Sequence, residues 1–314
     1  MSETISEFNI NHFLKNIETK AVLSSQSEQG QLLVPQDFSE KIFANINNNN
    51  FFHQHAQKMQ TNAHEMNIVI NNSALDLKTL WAAENEKTQD QKYSLNTKKI
   101  PVHSLRTNLM ITEEMINDSK TNLEQFFLDY VSNQVLQAEL LAFLYGDGKK
   151  QPEGILTNKD VHCCKVSLIP DKQEQQIKQD PQLSIDQIFG FLYAMYSQLN
   201  KNARSNAIWI MSRPIVTQIL NNNRNNSFYY IIINNQQQMS FLGLPVYIGD
   251  EMIEEDLAVL ANLKMGYLIV ERADINLFKN PYSNYPNITL SFVKRIGGAV
   301  VDPSCFQIAK LVGD

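Results

Sequence analysis

The chain has 314 residues, and its 33 acidic against 27 basic side chains give a formal charge of -6. Hydrophobic residues make up 43% and charged residues 19%, the balance of a chain that buries a core, which argues against a disordered, solvating tail. Clustered Lys and Arg are confined to Lys98-Lys99, Lys149-Lys150 and Lys294-Arg295, too few for a protein that grips nucleic acid through its phosphates.

Residues 1–30 are polar with scattered apolar positions and read as a partly helical or extended arm. Residues 1–10 carry acids where a secretory leader would carry Lys or Arg, so a cytoplasm-like compartment is expected. No run approaches the ~18 apolar residues of a membrane-spanning helix. Leu32-Leu33-Val34-Pro35 stops any helix, because proline biases the preceding residue towards extended geometry. Phe38, Ile42, Phe43 and Ile46 then recur at helical spacing, which predicts a short amphipathic helix over 37–50.

Met66, Ile68 and Ile70 alternate with polar residues, and Ile100, Val102 and 105–111 offer a second extended stretch. The polar 76–97 between them predicts a long two-stranded excursion with a solvated tip. A loop of that length calls for a function or a partner to lie on. The clearest helix spans 121–145, where Leu123, Phe126, Phe127, Tyr130, Val131, Val135, Ala138, Leu141, Ala142 and Tyr145 form the apolar stripe. At 1.5 Å per residue it is roughly 37 Å long, and Gly146 is expected to end it in a left-handed conformation.

Ser184 and Gln187 have capping-box spacing, and Ile188, Phe189, Leu192, Met195, Tyr196 and Leu199 supply the buried face of the helix they open. Residues 207–211 read as a buried strand. Ser212 caps a second helix, with Pro214 in its first turn and Val216, Ile219 and Leu220 buried. Residues 228–233, 244–248, 267–271 and 288–293 complete a set of strands. Strands and helices mix without regular βαβ alternation, so the class is α+β.

A search for chemistry finds little. Gly146-x-Gly148 and Gly297-Gly298 lack a phosphate-binding pattern. His64-Glu65 has no second histidine one turn on, and His53 and His55 have no Cys or carboxylate at ligand spacing, so they read as surface polar residues. Glu113-Glu114, Glu254-Glu255-Asp256 and Asp274 read as solvated faces. The three cysteines are too few for a disulfide framework, and reduced thiols are the default. His162-Cys163-Cys164 has the ingredients of a nucleophile, yet consecutive residues point apart. No enzyme class, cofactor or metal emerges.

The order of unusual segments is more informative. Gly30-x-Leu32-Leu33-Val34-Pro35 opens the ordered arm and Trp81-Ala82-Ala83-Glu84 lies in the excursion. Ile111-Thr112-Glu113-Glu114-Met115-Ile116-Asn117-Asp118-Ser119 precedes the long helix, and Phe143-Leu144-Tyr145-Gly146-Asp147-Gly148-Lys149-Lys150-Gln151-Pro152-Glu153-Gly154-Ile155-Leu156 follows it. Then come Trp209-Ile210-Met211-Ser212, Leu242-Gly243-Leu244-Pro245-Val246 and Lys294-Arg295-Ile296-Gly297-Gly298-Ala299-Val300-Val301-Asp302-Pro303. In this order the segments resemble the major capsid proteins of tailed bacteriophages, which share the Hong Kong 97-type fold, from Gly30 onward.

That resemblance implies a structural shell protein and no enzyme. It implies an N-terminal arm and short helix over 1–61, an extended loop over 62–100, a peripheral domain of 101–160 with 273–300, and an axial domain of 161–272 with 301–314. The loop would lie across a neighbouring subunit, with Trp81, Glu84, Lys87 and Arg295 as candidate inter-subunit contacts. Partners would be copies of the chain in pentamers and hexamers, with scaffold, protease and portal proteins and packaged double-stranded DNA held without sequence-specific contacts, in a virion assembled in the bacterial cytoplasm. Some relatives join subunits covalently through a loop Lys, a peripheral Asn and a Glu. Lys87 and Asn287 approximate the first two, but 275–301 contains no carboxylate, so no covalent ladder between subunits is expected. The alternatives are an encapsulin-type compartment shell on the same fold and, from a different class, a cytoplasmic hydrolase using Cys163 or Cys164 with His162.

Overall fold

The computed structural model describes residues 32–33, 36–71, 95–112, 123–167, 183–225, 231–233, 239–272, 276–284 and 287–312. The strands are β1 (Leu32–Leu33), β2 (Gln57–Gln60), β3 (Glu65–Asn71), β4 (Leu95–Pro101), β5 (His103–Ile111), β6 (His162–Ser167), β7 (Ile208–Met211), β8 (Ile231–Ile233), β9 (Met239–Phe241), β10 (Leu244–Ile248), β11 (Asp256–Ala261), β12 (Tyr267–Glu271), β13 (Asn276–Asn284), β14 (Asn287–Val300) and β15 (Phe306–Val312). The helices are α1 (Gln36–Asn49), α2 (Phe51–His55), α3 (Leu123–Tyr145), α4 (Ile185–Gln198), α5 (Arg213–Asn225) and α6 (Leu263–Gly266). None of the described helices is long and apolar enough to cross a membrane.

Two large sheets organise the chain. One has β1, β13, β14, β12 and β2 in that order, with β5 on the other side of β14. The other runs β6-β15-β11-β7-β10-β9-β8, and β3 and β4 form a separate two-stranded sheet. Long β14 is the backbone of the first sheet, because its fourteen residues pair with β5 along one side and with β13 and then β12 along the other. Its side chains alternate: Leu290, Phe292, Lys294 and Ile296 are buried on one face. β12 hydrogen-bonds antiparallel to the C-terminal part of β14 within this sheet. β11, β15 and β6, which the periodicity did not reveal, sit together in the second sheet, and β11 is buried at every position.

The long helix α3 is present, but its buried face is turned from the expected one. Leu128, Val131, Val135, Glu139, Leu140, Phe143 and Leu144 face inward, whereas Phe126, Tyr130 and Leu141 are exposed. Gly146 ends the helix without a left-handed φ; the positive-φ glycines among the described residues are Gly148 and Gly243. Glycine is required at 146 because a Cβ there would lie 1.7 Å from the Pro152 carbonyl oxygen. The capping box is as expected: Gln187 N–H donates to Ser184 Oγ at 3.3 Å, and Ser184 N–H to Gln187 Oε1 at 2.9 Å.

Candidate assembly surfaces

The β3–β4 hairpin pairs with no other sheet among the described residues. Its register sets Met66 opposite Ile100 and Ile68 opposite Lys98, and the two-residue strand period puts these four on one face. Among the described residues that face meets the body at the root, where Ile100 is fully buried against Leu268, Val270 and Ala299 with Met66 and Ile68 packed beside them. Beside it Lys98 Nζ donates to Glu153 Oε2 at 2.7 Å and to the Val300 carbonyl at 2.8 Å. Asn158 Nδ2 holds the other Glu153 oxygen at 2.8 Å, and Tyr267 OH donates to the Glu153 carbonyl at 2.7 Å. The turn after α3 thus clamps the hairpin. Further out, Val69 and Leu95 are 66% and 64% exposed.

A second apolar surface runs along α3. Phe126 and Tyr130 stack with centroids 6.2 Å apart. Gln134 Nε2 donates to Tyr130 OH at 2.8 Å, and Thr107 Oγ1 on β5 donates to Gln134 Oε1 at 3.1 Å. Met110, near the end of β5, is also exposed. Tyr193 on α4 and Leu242, which has a positive φ in the β9–β10 turn, expose a third area at the far end of the second sheet. Exposed apolar side chains in such groups mark contact surfaces.

Of the expected contact residues, Trp81, Glu84 and Lys87 lie outside the described residues. Arg295 lies on β14 opposite Ser104 of β5, half-buried. Its backbone carbonyl accepts the Arg272 N–H at 3.0 Å.

The sequence reading missed a buried charge cluster at the crossing of α2, α3 and the first sheet. His53 lies in α2 and is buried, where a surface position was expected. Its Nε2 is 2.8 Å from Glu139 Oε2 and its Nδ1 is 3.4 Å from Glu271 Oε1. Lys294 Nζ lies 2.5 Å from Glu139 Oε1 and 3.8 Å from Glu271 Oε1. Asn50 Nδ2 donates to Glu139 Oε2 at 3.5 Å, and Asn50 Oδ1 accepts the Phe52 N–H at 2.9 Å. Burial raises the Glu139 carboxyl, but Lys294 and His53 outweigh it and leave it below the usual carboxylate value. A signal was available: Glu139 is in phase with Val135 on the helix, and Lys294 with Phe292 and Ile296 on the strand.

The acidic run 254–256 also divides. Asp256 is fully buried, accepts the Tyr145 hydroxyl at 2.6 Å and pairs with Lys310 at 3.2 Å. Burial and this carboxylate push the Tyr145 phenol well up. The contact ties the end of α3 to the second sheet.

His162-Cys163-Cys164 forms the start of edge strand β6, with Cys163 opposite Ile308 and Cys164 opposite Ala309. His162 Nδ1 is 2.7 Å from Gln307 Oε1. Burial raises the Cys163 thiol, the reverse of what an activated nucleophile needs, so the geometry gives the hydrolase reading no support. Among the described residues, no group of three or more His, Cys, Asp or Glu is placed to hold a metal ion.

The sequence matches the phage capsid family over residues 30–311. No curated protein matches it. Among solved structures, the capsid of a native GTA particle is 19% identical with a TM-score of 0.61, covering 83% of this chain and 90% of that one. A chain from Microbacterium phage Oxtober96 is 10% identical with a TM-score of 0.58, covering 84% of this chain and 91% of that one. A virus-like particle from Pyrococcus furiosus is 9% identical with a TM-score of 0.57, covering 88% of this chain and 98% of that one. At these identities the likeness is one of fold.

Proposed function

The chain belongs to the phage capsid family, which makes it a structural component of a virion or particle, and from that premise we propose that it is the major capsid subunit of a tailed phage, prophage or gene-transfer particle. Copies assemble through pentamers and hexamers into an icosahedral shell that encloses double-stranded DNA. The observation that carries this reading is the β3–β4 hairpin, a two-stranded sheet held at its root and exposing Val69 and Leu95. A free two-stranded sheet is marginal in water; a neighbouring subunit supplies the surface it lacks. Trp81, Glu84 and Lys87 then act at that contact, and half-buried Arg295 at another.

The first sheet with α3 acts as the peripheral domain, β12 included, and the second sheet with α4 and α5 as the axial domain around the symmetry axes. Repeated heterologous contacts close into rings and then a shell, so contacts that are weak singly become strong together. The acidic balance suits a container, because a wall that does not neutralise phosphates does not bind the genome tightly. Assembly takes place in the host cytoplasm, with scaffold, protease and portal proteins as partners.

Electron microscopy of the concentrated protein, with and without a crowding agent, tests this. Shells, tubes or isolated pentamers and hexamers are expected. A persistent monomer under all conditions, including co-expression with adjacent viral assembly genes, overturns it. The likeness to the Pyrococcus furiosus particle favours one second reading, an encapsulin-type compartment. Small closed shells that co-purify with a cargo enzyme instead of DNA would select it.

A further inference from the structure

Phe241 pairs with Leu244 across the ends of β9 and β10, so Leu242 and Gly243 alone make the turn between them. Both have a positive φ, 51° and 76°, the type I′ hairpin geometry that asparagine and glycine adopt at least cost. Gly243 fits this rule. Leu242 does not: its side chain is strained in the left-handed region, and among the described residues it is the sole non-glycine residue placed there. The subunit gains little in return, because Leu242 is 37% exposed and the turn stands clear of the body, with no atom within 4 Å of where a Gly243 Cβ would lie. Tyr193 of α4 lies beside the turn, its ring 6.2 Å from that of Phe241, and it too is exposed. The sequence around both is uncharged. Residues 225–249 contain no Asp, Glu, Lys or Arg, the longest such run in the chain, and α4 has none after Asp186.

We propose that the Leu242 turn, with Tyr193, is a self-association surface whose partner is a second copy of this chain, and that leucine is kept at 242 for this contact at the expense of the subunit's own stability. The inference rests on the container reading and names a contact within it. Backbone strain held at an exposed position points to function, since folding alone would select asparagine or glycine there. Charge selects the partner. Each copy carries a formal charge of -6, so two copies repel where their charged surfaces meet and approach most easily across a neutral face. A basic protein or a cation-seeking nucleic acid is drawn to charged surface instead. An exposed aliphatic knob beside an aromatic ring, in a stretch without charge, has the composition of the centre of an interface and not of its rim.

Leu242→Asn in the full-length chain separates the two roles, because asparagine relieves the strain and removes the apolar contact. Measured below the assembly concentration, its thermal unfolding temperature should be higher than that of the wild type. The concentration it needs for assembly, read by sedimentation velocity and electron microscopy, should rise about tenfold or more. Leu242→Met keeps both the strain and an apolar side chain, and should assemble as the wild type does. Assembly of Leu242→Asn at the wild-type concentration overturns the proposal, as does a lowered unfolding temperature, since leucine would then serve the fold. When the wild type and Leu242→Asn form shells alike, this contact alone fails; a wild type that never associates removes the container reading and this contact with it.

Discussion

Asp256 shows how far one side chain can differ from its neighbours in sequence. Glu254 and Glu255 are exposed, as a run of acids suggests, whereas Asp256 opens β11 and is fully buried. Periodicity could not separate the three, because the strand they introduce is apolar throughout and has no polar phase to read. Asp256→Asn keeps the shape but leaves the Lys310 ammonium without its counter-charge and weakens the Tyr145 bond. A loss of about 2 kcal/mol is expected, measured by urea unfolding. Glu139 governs a different condition. Its carboxyl titrates below the ordinary 4.5 in the folded chain, so its contribution to stability is fully present above that value and is lost as the pH falls through the lower folded one. Stability measured from pH 7 down to 3 should fall on the acid side, and Glu139→Gln should flatten that limb. A parallel fall in both proteins would show that other carboxylates control it.

Among elements, the helices were legible and the strand partners were not. The capping box at Ser184, the stripe of α4 and the bounds of β10 and β12 follow from local spacing. By contrast, β15 lies between β11 and parallel β6, and parallel β2 flanks β12. These pairings join segments far apart in sequence, and no local pattern encodes them. The face of α3 differs from the expected one for a related reason: an apolar residue left on the surface looks the same in sequence as one that meets the core. Glycine gives a paired test of local constraint. Gly146→Ala drives a Cβ into backbone and should cost at least about 2 kcal/mol. Gly190→Ala, inside α4 with open space around its Cβ, should stabilise by about 0.5–1 kcal/mol. Thermal unfolding of the two variants checks both signs.

For the whole molecule, the order of segments carried more information than any residue, and the resemblance it supported agrees with the family match and the fold. The separation of a hairpin from two packed sheets also yields a prediction. Asn71 and Leu95 are directly opposed, so a two-residue Asn-Gly turn can join them. The shortened subunit should unfold at an unchanged temperature, with complete loss of closed particles by microscopy; shells from the shortened chain would place the essential contact elsewhere. The topology sets a schedule for synthesis as well. The first sheet is organised around β14, and the second places β15 between β11 and β6. Neither can close until the last strands have left the ribosome, and long-range pairings of this kind form slowly. A chain still short of β14 and β15 therefore lacks both finished sheets, and the synthesis of these two strands is the earliest control on when the folded subunit's surfaces exist.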